Sequence, residues 1–393
     1  MTASLSRREM MQAAGAVALA PSVPAVQPLS TRSAPFGPAR ASVPSAAEEP
    51  ALKQWPIVEG PDTPKLCLGS GDGGRVAEGQ QDNGNRRIKQ LGVDYVLSGG
   101  PRIPWQEADL RARIERLKAE GLTLYNLMIG GFRNTIYGKP GRDEEIENVI
   151  ASIRAAGKAG LPVIEYNFYA HRAMEGYYEQ TGRAGAGYTA FDYERMKDLP
   201  PLEQEGAHSL EEMWENITYF LKAIVPVAEE SGVLLALHPN DPPAPLSRGS
   251  GQIMGTVAGW KRLIEIVPNP ANGITFDCGV TKEMGEDPVE VCRYFASRKR
   301  INHAHFRNVR VEKPYEKYAE VFPDEGQVDM FAVMKELVRQ KYAGTIYPEH
   351  PRGLDYDRQR PEFRGGYPGG GAYAAIAYNV AYTRAMLQAA LAS

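Results

Sequence analysis

The chain has 393 residues, of which 45 are basic and 48 acidic, for a net charge of -3. Both signs are mixed along its length, which leaves no field able to hold nucleic acid or an anionic membrane and points to a small-molecule partner. Three cysteines, Cys67, Cys278 and Cys292, are too few for a disulfide framework, and the length suits a single barrel with insertions.

At the amino terminus Ser6-Arg7-Arg8-Glu9 precedes an apolar run, Ala13 to Ala20, and then small residues at Val23-Pro24-Ala25. Basic, apolar and small regions in that order define a signal peptide, and the paired arginines resemble a twin-arginine signal. We therefore expect residues 1–27 to direct export to the periplasm or another extracytoplasmic space. The apolar run is too short to anchor the mature protein across a bilayer. Residues 28–64, rich in Pro, Ser and Ala, read as a flexible leader, and residues 65–393 as the folded domain.

From Lys65 onward short apolar runs alternate with longer amphipathic ones. The runs predict strands at Leu66–Gly71, Tyr95–Ser98, Thr123–Ile129, Val163–Tyr169, Leu234–His238, Ile274–Cys278, Ile301–Phe306 and Thr345–Tyr347. Helical patterns follow each of them, around Asn85–Leu91, Ala108–Glu120, Glu144–Ala159, Leu210–Glu230, Val257–Ile266, Pro288–Ala296, Val328–Gln340 and Ala372–Leu391. Eight strands, each with its helix, predict one closed parallel (βα)8 TIM barrel rather than an open sheet. Residues 170–209, 306–328 and 350–371 are long excursions leaving strand carboxyl ends, the face on which barrels build their sites. The first of them reads as a lid or substrate-facing segment. Gly69-Ser70-Gly71-Asp72-Gly73-Gly74 lacks the Lys-Ser/Thr of a phosphate loop and reads as a tight turn.

Four of the predicted strands stop at residues that bind metals. Leu234–Leu237 ends at His238-Pro239-Asn240-Asp241, Ile274–Asp277 at Cys278, Ile301–Ala304 at His305, and Thr345–Tyr347 at Pro348-Glu349-His350. Ligand types gathered at successive strand ends predict a divalent-metal site formed by His238, Cys278, His305 and Glu349. A thiolate favours zinc, whereas Glu349 and an open position suit manganese, iron or magnesium; a plain core thiol is the alternative for Cys278. Residues two apart on a strand share a face, so His303, His305 and Arg307 point inward together, with His303 the deeper. Arg307 could clamp a substrate carboxylate through its planar fork or serve in an internal ion pair. Asn240 and Asp241 either bind substrate or shape the turn before two prolines. Tyr166, Asn167 and His171 end the fourth strand and are candidates to line the pocket.

These motifs resemble those of the mannonate dehydratases in the xylose-isomerase-like barrel superfamily. The resemblance is carried by His-Pro-Asn-Asp-Pro-Pro at 238–243, Cys278-Gly279, His305-Phe306-Arg307-Asn308, Gly326-Gln327-Val328-Asp329-Met330, Glu349-His350 and Ala372-Tyr373-Ala374-Ala375-Ile376. It implies two His, one Cys and an acidic residue around a divalent ion, usually manganese, with Glu349 standing where the family has Asp. It also implies a proton-transfer role for Tyr373 and loss of water from a hexonate such as D-mannonate. The amino-terminal half departs from the family pattern, with only Ile103-Pro104 matching at strand two, so the metal chemistry carries over better than the substrate does.

Dehydration beside a carboxylate needs a metal, a base and an acid, for which the sequence offers the ligand set, Tyr373 and His350 as proton-transfer candidates, and Arg307 as an anion clamp. A sugar isomerase or epimerase would use the same barrel and metal. A secreted carbohydrate-binding protein with a structural metal is the non-catalytic alternative. Nothing in the sequence decides whether the chain forms a homo-oligomer.

Overall fold

The computed structural model describes residues 56–73, 84–361, 363 and 366–393. The signal-peptide reading of residues 1–27, most of the 28–64 leader, and Gly74 lie outside these. Residues 56–64 are docked: the Ile57 N–H donates to Gln388 Oε1 at 3.0 Å and the Gln388 amide donates back to Ile57 O at 3.1 Å. The ordered body therefore begins before Lys65.

In chain order the strands are β1 (Lys65–Gly69), β2 (Tyr95–Gly99), β3 (Thr123–Ile129), β4 (Val163–Tyr166), β5 (Tyr177–Thr181), β6 (Gly187–Asp192), β7 (Leu234–Leu237), β8 (Leu246–Ser247), β9 (Ser250–Gly251), β10 (Asn272–Asp277), β11 (Ile301–His305), β12 (Asn308–Lys313), β13 (Lys317–Val321) and β14 (Thr345–Tyr347). Eight of them, in the order β1-β14-β11-β10-β7-β4-β3-β2, close into an all-parallel barrel. They are the eight strands expected from the sequence.

The strands are short and apolar because both faces are covered, one by the barrel interior and the other by helices. β10 shows the rule: Thr275 and Asp277 face the interior polar groups, while Ile274 and Phe276 join the apolar core. The outer layer is built from amphipathic helices with clear start signals. Leu210–Glu230 opens with a capping box, Ser209 and Glu212 each bonding the other's backbone N–H, and buries Trp214, Ile217, Phe220, Leu221 and Ile224. Asp287 caps Pro288–Ala296 and Asp329 caps Met330–Arg339.

The two longest excursions do not act as separate loops. Residues 170–209 supply β5 and β6, residues 306–328 supply β12 and β13, and the four pair antiparallel in the order β12-β13-β6-β5. This second sheet has its own core of Tyr177, Phe191, Met196 and Tyr318. No helix among the described residues is long and apolar enough to cross a membrane.

Candidate metal centre and active site

The carboxyl ends of β4, β7, β10, β11 and β14 bring five ionisable side chains together. Metal-binding atoms of Glu165, His238 and His305 lie within 4.8 Å of one another, and so do those of Asp277, His305 and Glu349. His305 is the hub. Its Nδ1 is 3.3 Å from His238 Nε2, 3.1 Å from Glu349 Oε1 and 3.8 Å from Asp277 Oδ2, and its Nε2 is 3.6 Å from Glu165 Oε1. His238 Nδ1 lies 2.8 Å from Pro239 O, a partner that can only accept. That fixes the tautomer: the proton sits on Nδ1 and the Nε2 lone pair faces the cluster, the outer hydrogen bond typical of a ligating imidazole.

The site is anchored from below. Glu165 accepts hydrogen bonds from Asn126 Nδ2 and Thr275 Oγ1, both at 2.8 Å. His303 lies deeper, bonded to Thr345 Oγ1 at 2.9 Å. Burial pushes the His303 ring down to about 4, so it stays neutral. Burial also opposes charge on His305, but the Glu349 carboxylate outweighs it and lifts the ring to about 9. Burial raises Asp277, with Arg307 opposing. Desolvation works against charge on Glu349 as well, but His305 and His350 overcome it and hold this carboxyl well below the usual carboxylate range. Two imidazole nitrogens facing each other among three buried carboxylates form a donor set that a divalent cation fits.

Beside the cluster lies a cavity of about 580 Å³ whose wall includes Asp72, Tyr347, His350, Arg352, Tyr367 and Tyr373. His350 joins the two features: its Nε2 is 3.4 Å from Glu349 Oε2 and its Nδ1 is 2.9 Å from Glu320 Oε2. Its φ of 49° is a left-handed conformation uncommon for a residue with a Cβ, and it turns the imidazole back beside Glu349. Tyr347 packs its ring edge-on against His305, with centroids 5.5 Å apart.

A family model described as D-mannonate dehydratase (UxuA) matches residues 201–391. The mannonate dehydratase of Thermotoga petrophila is 30% identical over 316 residues, covering 70% of this chain and 88% of its own length. That of Streptococcus equi subsp. zooepidemicus is 32% identical over 265 residues, 60% of this chain and 70% of its own. The crystal structure of the Streptococcus suis serotype 2 mannonate dehydratase superposes with a TM-score of 0.73 at 27% identity, over 84% of this chain and 95% of that one. The chain belongs to the mannonate dehydratase family. An L-ribulose 3-epimerase structure, with a TM-score of 0.52 at 14% identity, shares the barrel alone.

In this mannonate dehydratase family member the structure brings together His238, His305 and Glu349 of the four expected ligands and leaves Cys278 out. The reason is the two-residue period of a strand. Asp277 shares the inward face with Thr275, whereas Cys278 continues the face of Phe276 and begins a short helix, Cys278–Glu283. The Cys278 Sγ donates instead to Arg307 O at 3.3 Å, and burial drives its pKa far up. Asp277, beside it in sequence, is the residue whose carboxylate joins the His305–Glu349 group.

Of the two expectations for Arg307, anion clamp and internal ion pair, the structure shows ion pairs. Its guanidinium is buried and lies 2.6 Å from Glu283, 3.1 Å from Asp277, 3.2 Å from Glu349, 3.5 Å from Asp241 and 3.8 Å from Glu320. It is the shared counter-ion of five carboxylates. Gly279 makes room for it, since a Cβ there would come within 2.8 Å of Arg307 Cγ. The second sheet supplies Glu320, whose carboxyl is drawn down to about 2 against its burial by His350, Arg352 and Arg307.

Three of the four expected substrate-binding residues are engaged in hydrogen bonds or ion pairs within the chain. Asn240 is buried and accepts the Met254 N–H at 2.8 Å. Asp241 is buried, accepts the Tyr177 hydroxyl at 2.7 Å and lies 3.6 Å from Arg172. His171 is pinned between Glu205, at 2.8 Å, and Glu175, at 3.1 Å. Asn167 lines a separate recess of about 370 Å³ at the ends of β2, β3 and β4. Tyr373 and His350, the proton-transfer candidates, do line one cavity; the Tyr373 hydroxyl donates to Arg87 O at 3.2 Å. Sequence reasoning passed over Glu165, Asp277 and Glu320. Asp277 was recoverable from strand alternation, as Thr275 and Asp277 are the polar residues of one face.

Proposed function

We propose that the chain removes water from an aldonate, with D-mannonate the first substrate to test, giving a 2-keto-3-deoxy sugar acid. The observation that supports this reading most is that the buried imidazole–carboxylate cluster and the cavity share one wall, formed by Tyr347 and His350. His238, Asp277, His305 and Glu349 would hold a divalent ion, with Glu165 behind them. These donors are nitrogen and oxygen only, so we assign manganese, with magnesium and iron as closer competitors than zinc. Bound there, the ion would polarise the oxygens at C1 and C2 and acidify the C2 proton.

The remaining work falls to the chain. Loss of water requires a base for the C2 proton and an acid for the C3 hydroxyl. His350 lines the cavity, and although burial disfavours its charge, Glu320 and Glu349 raise its pKa. They favour the protonated ring an acid needs. Tyr373 on the same wall orients the substrate, and the packed walls limit water around it. The C2–H electron pair becomes the C2=C3 bond as the C3–O bond breaks. The oxygen departs as water with the His350 proton, and the resulting enol tautomerises to the 2-keto product.

The test is a panel of aldonates and uronates given to metal-loaded protein and scored for 2-keto-3-deoxy products. Turnover of D-mannonate with manganese is expected. Solvent deuterium entering an isomerised or epimerised sugar, with no water lost, would replace this reading with an isomerase. Export by residues 1–27 belongs to the same proposal: a reporter fused behind residues 1–64 should leave the cytoplasm only through a working twin-arginine pathway, and its retention there refutes export.

A further inference from the structure

The cavity wall holds a carboxyl that neither the metal cluster nor the Arg307 network uses. Asp72 follows β1 in a tight turn, where its Oδ2 accepts the Gly69 N–H at 2.7 Å. The nearby Tyr347 hydroxyl favours its charged form, and Tyr347 in turn packs against His305. It shares the cavity with His350 and Tyr373, partly exposed to that space while surrounded by protein. Among the described residues no Lys, Arg or His forms an ion pair with it. Closing a turn needs an acceptor oxygen but no charge, and Asn or Ser supplies one equally well. A carboxyl kept without a counter-ion at the edge of a site is a candidate for chemistry.

We propose that Asp72 is the base that takes the C2 proton in the dehydration proposed above, with Tyr347 fixing its orientation. The inference rests on that functional reading. The Asp72 carboxylate accepts the proton, the C–H electrons form C2=C3, and the C3 oxygen leaves as water with a proton from His350. Asp72 ends protonated and returns its proton to solvent or to C3 of the enol. The surroundings of Asp72 suit a base, since burial, with the nearby Glu349 charge adding to it, pushes the carboxyl up to about 6 even though the Gly69 N–H and Tyr347 pull it down. A base of that strength is largely ionised at neutral pH and still a good acceptor.

The decisive variant is Asp72→Asn, because the amide oxygen still accepts the Gly69 N–H and its NH2 can donate to the Tyr347 hydroxyl, so a purely structural role in the turn would survive. We expect kcat on D-mannonate to fall about 100-fold or more, with KM within about threefold and bound manganese unchanged. Asp72→Glu should recover part of kcat. The isotope effect with C2-deuterated substrate should grow in Asp72→Asn as proton removal becomes limiting. A kcat within about threefold of wild type, or a loss that tracks lost metal and is not relieved by Glu, overturns the assignment. A wild type that turns over no aldonate overturns the functional reading and this assignment together, whereas an active wild type matched by Asp72→Asn overturns the assignment alone.

Discussion

The mouth of this barrel has two unlike halves. At the ends of β7, β10, β11 and β14 stand His238, Asp277, His305 and Glu349, crowded into one buried group with Arg307 behind them. At the ends of β2, β3 and β4 the rim is made of Gly99, Gly100, Gly130 and Gly131 with Met128 and Asn167, around an open recess. Of these glycines only Gly100 is packed tightly, where a Cβ would strike the Trp105 ring at 2.3 Å; Gly99 and Gly130 face open space. Strand geometry is the same in both halves, so the scaffold does not decide where chemistry goes. The difference is the cover. The sheet of β5, β6, β12 and β13 lies over the charged half and supplies Glu320, Tyr177 and Tyr318 to it, which lets buried charges find partners that water would otherwise provide.

That contrast can be broken at several points. The largest effect is expected from His305→Ala, which touches every member of the cluster. It should lower metal affinity by more than about 100-fold, beyond the range seen for outer partners of a ligand, as measured by metal content after dialysis. Asp277→Ala should do the same while Cys278→Ala keeps its metal. The reverse result would return the thiol to the ligand set.

Next comes Arg307→Met. With the counter-ion gone, five buried carboxylates face one another, and stability should fall by about 3–5 kcal/mol. Denaturant unfolding reads this, and a loss below about 1 kcal/mol would show the carboxylates to be neutral or wet.

Glu320 gives a pH signature. Its folded pKa of about 2 lies below the unfolded carboxyl value of about 4.3, so its contribution is present above about 4.3 and lost as pH falls from there toward 2. The stability gap between wild type and Glu320→Gln should shrink across that window in denaturant titrations, and a constant gap would rule out the linkage. The smallest effect is expected on the plain side of the mouth. Asn167→Ala should move stability by no more than about 0.5 kcal/mol and leave bound metal unchanged; metal loss there would erase the distinction between the halves.

Much of this was legible in the sequence, for physical reasons. Short apolar runs alternating with amphipathic ones mark barrel strands because both faces of such strands are covered, and all eight were found that way. His238, His305 and Glu349 were visible because each ends a run. Asp277 could be read only from strand phase, because it shares the inward face with Thr275, whereas counting residue types drew attention to its neighbour Cys278. Glu165 was masked by the apolar residues around it in Val163-Ile164-Glu165-Tyr166. Glu320 and the burial of Arg307 depend on two excursions, far apart in the chain, pairing into one sheet, which no local pattern encodes. For the same reason the contact of Asp241 with Tyr177 of that sheet could not be read from the sequence.

The carboxylate at position 277 has a consequence for durability. A sulfur ligand can be lost to peroxide or captured by a foreign disulfide, and each event strips a metal from its protein. Imidazole and carboxylate donors are far less open to that attack, while Cys278 is buried, donates to Arg307 O and has its pKa raised by burial. A centre composed this way should keep its ion in oxidising surroundings that would inactivate a thiolate-ligated counterpart.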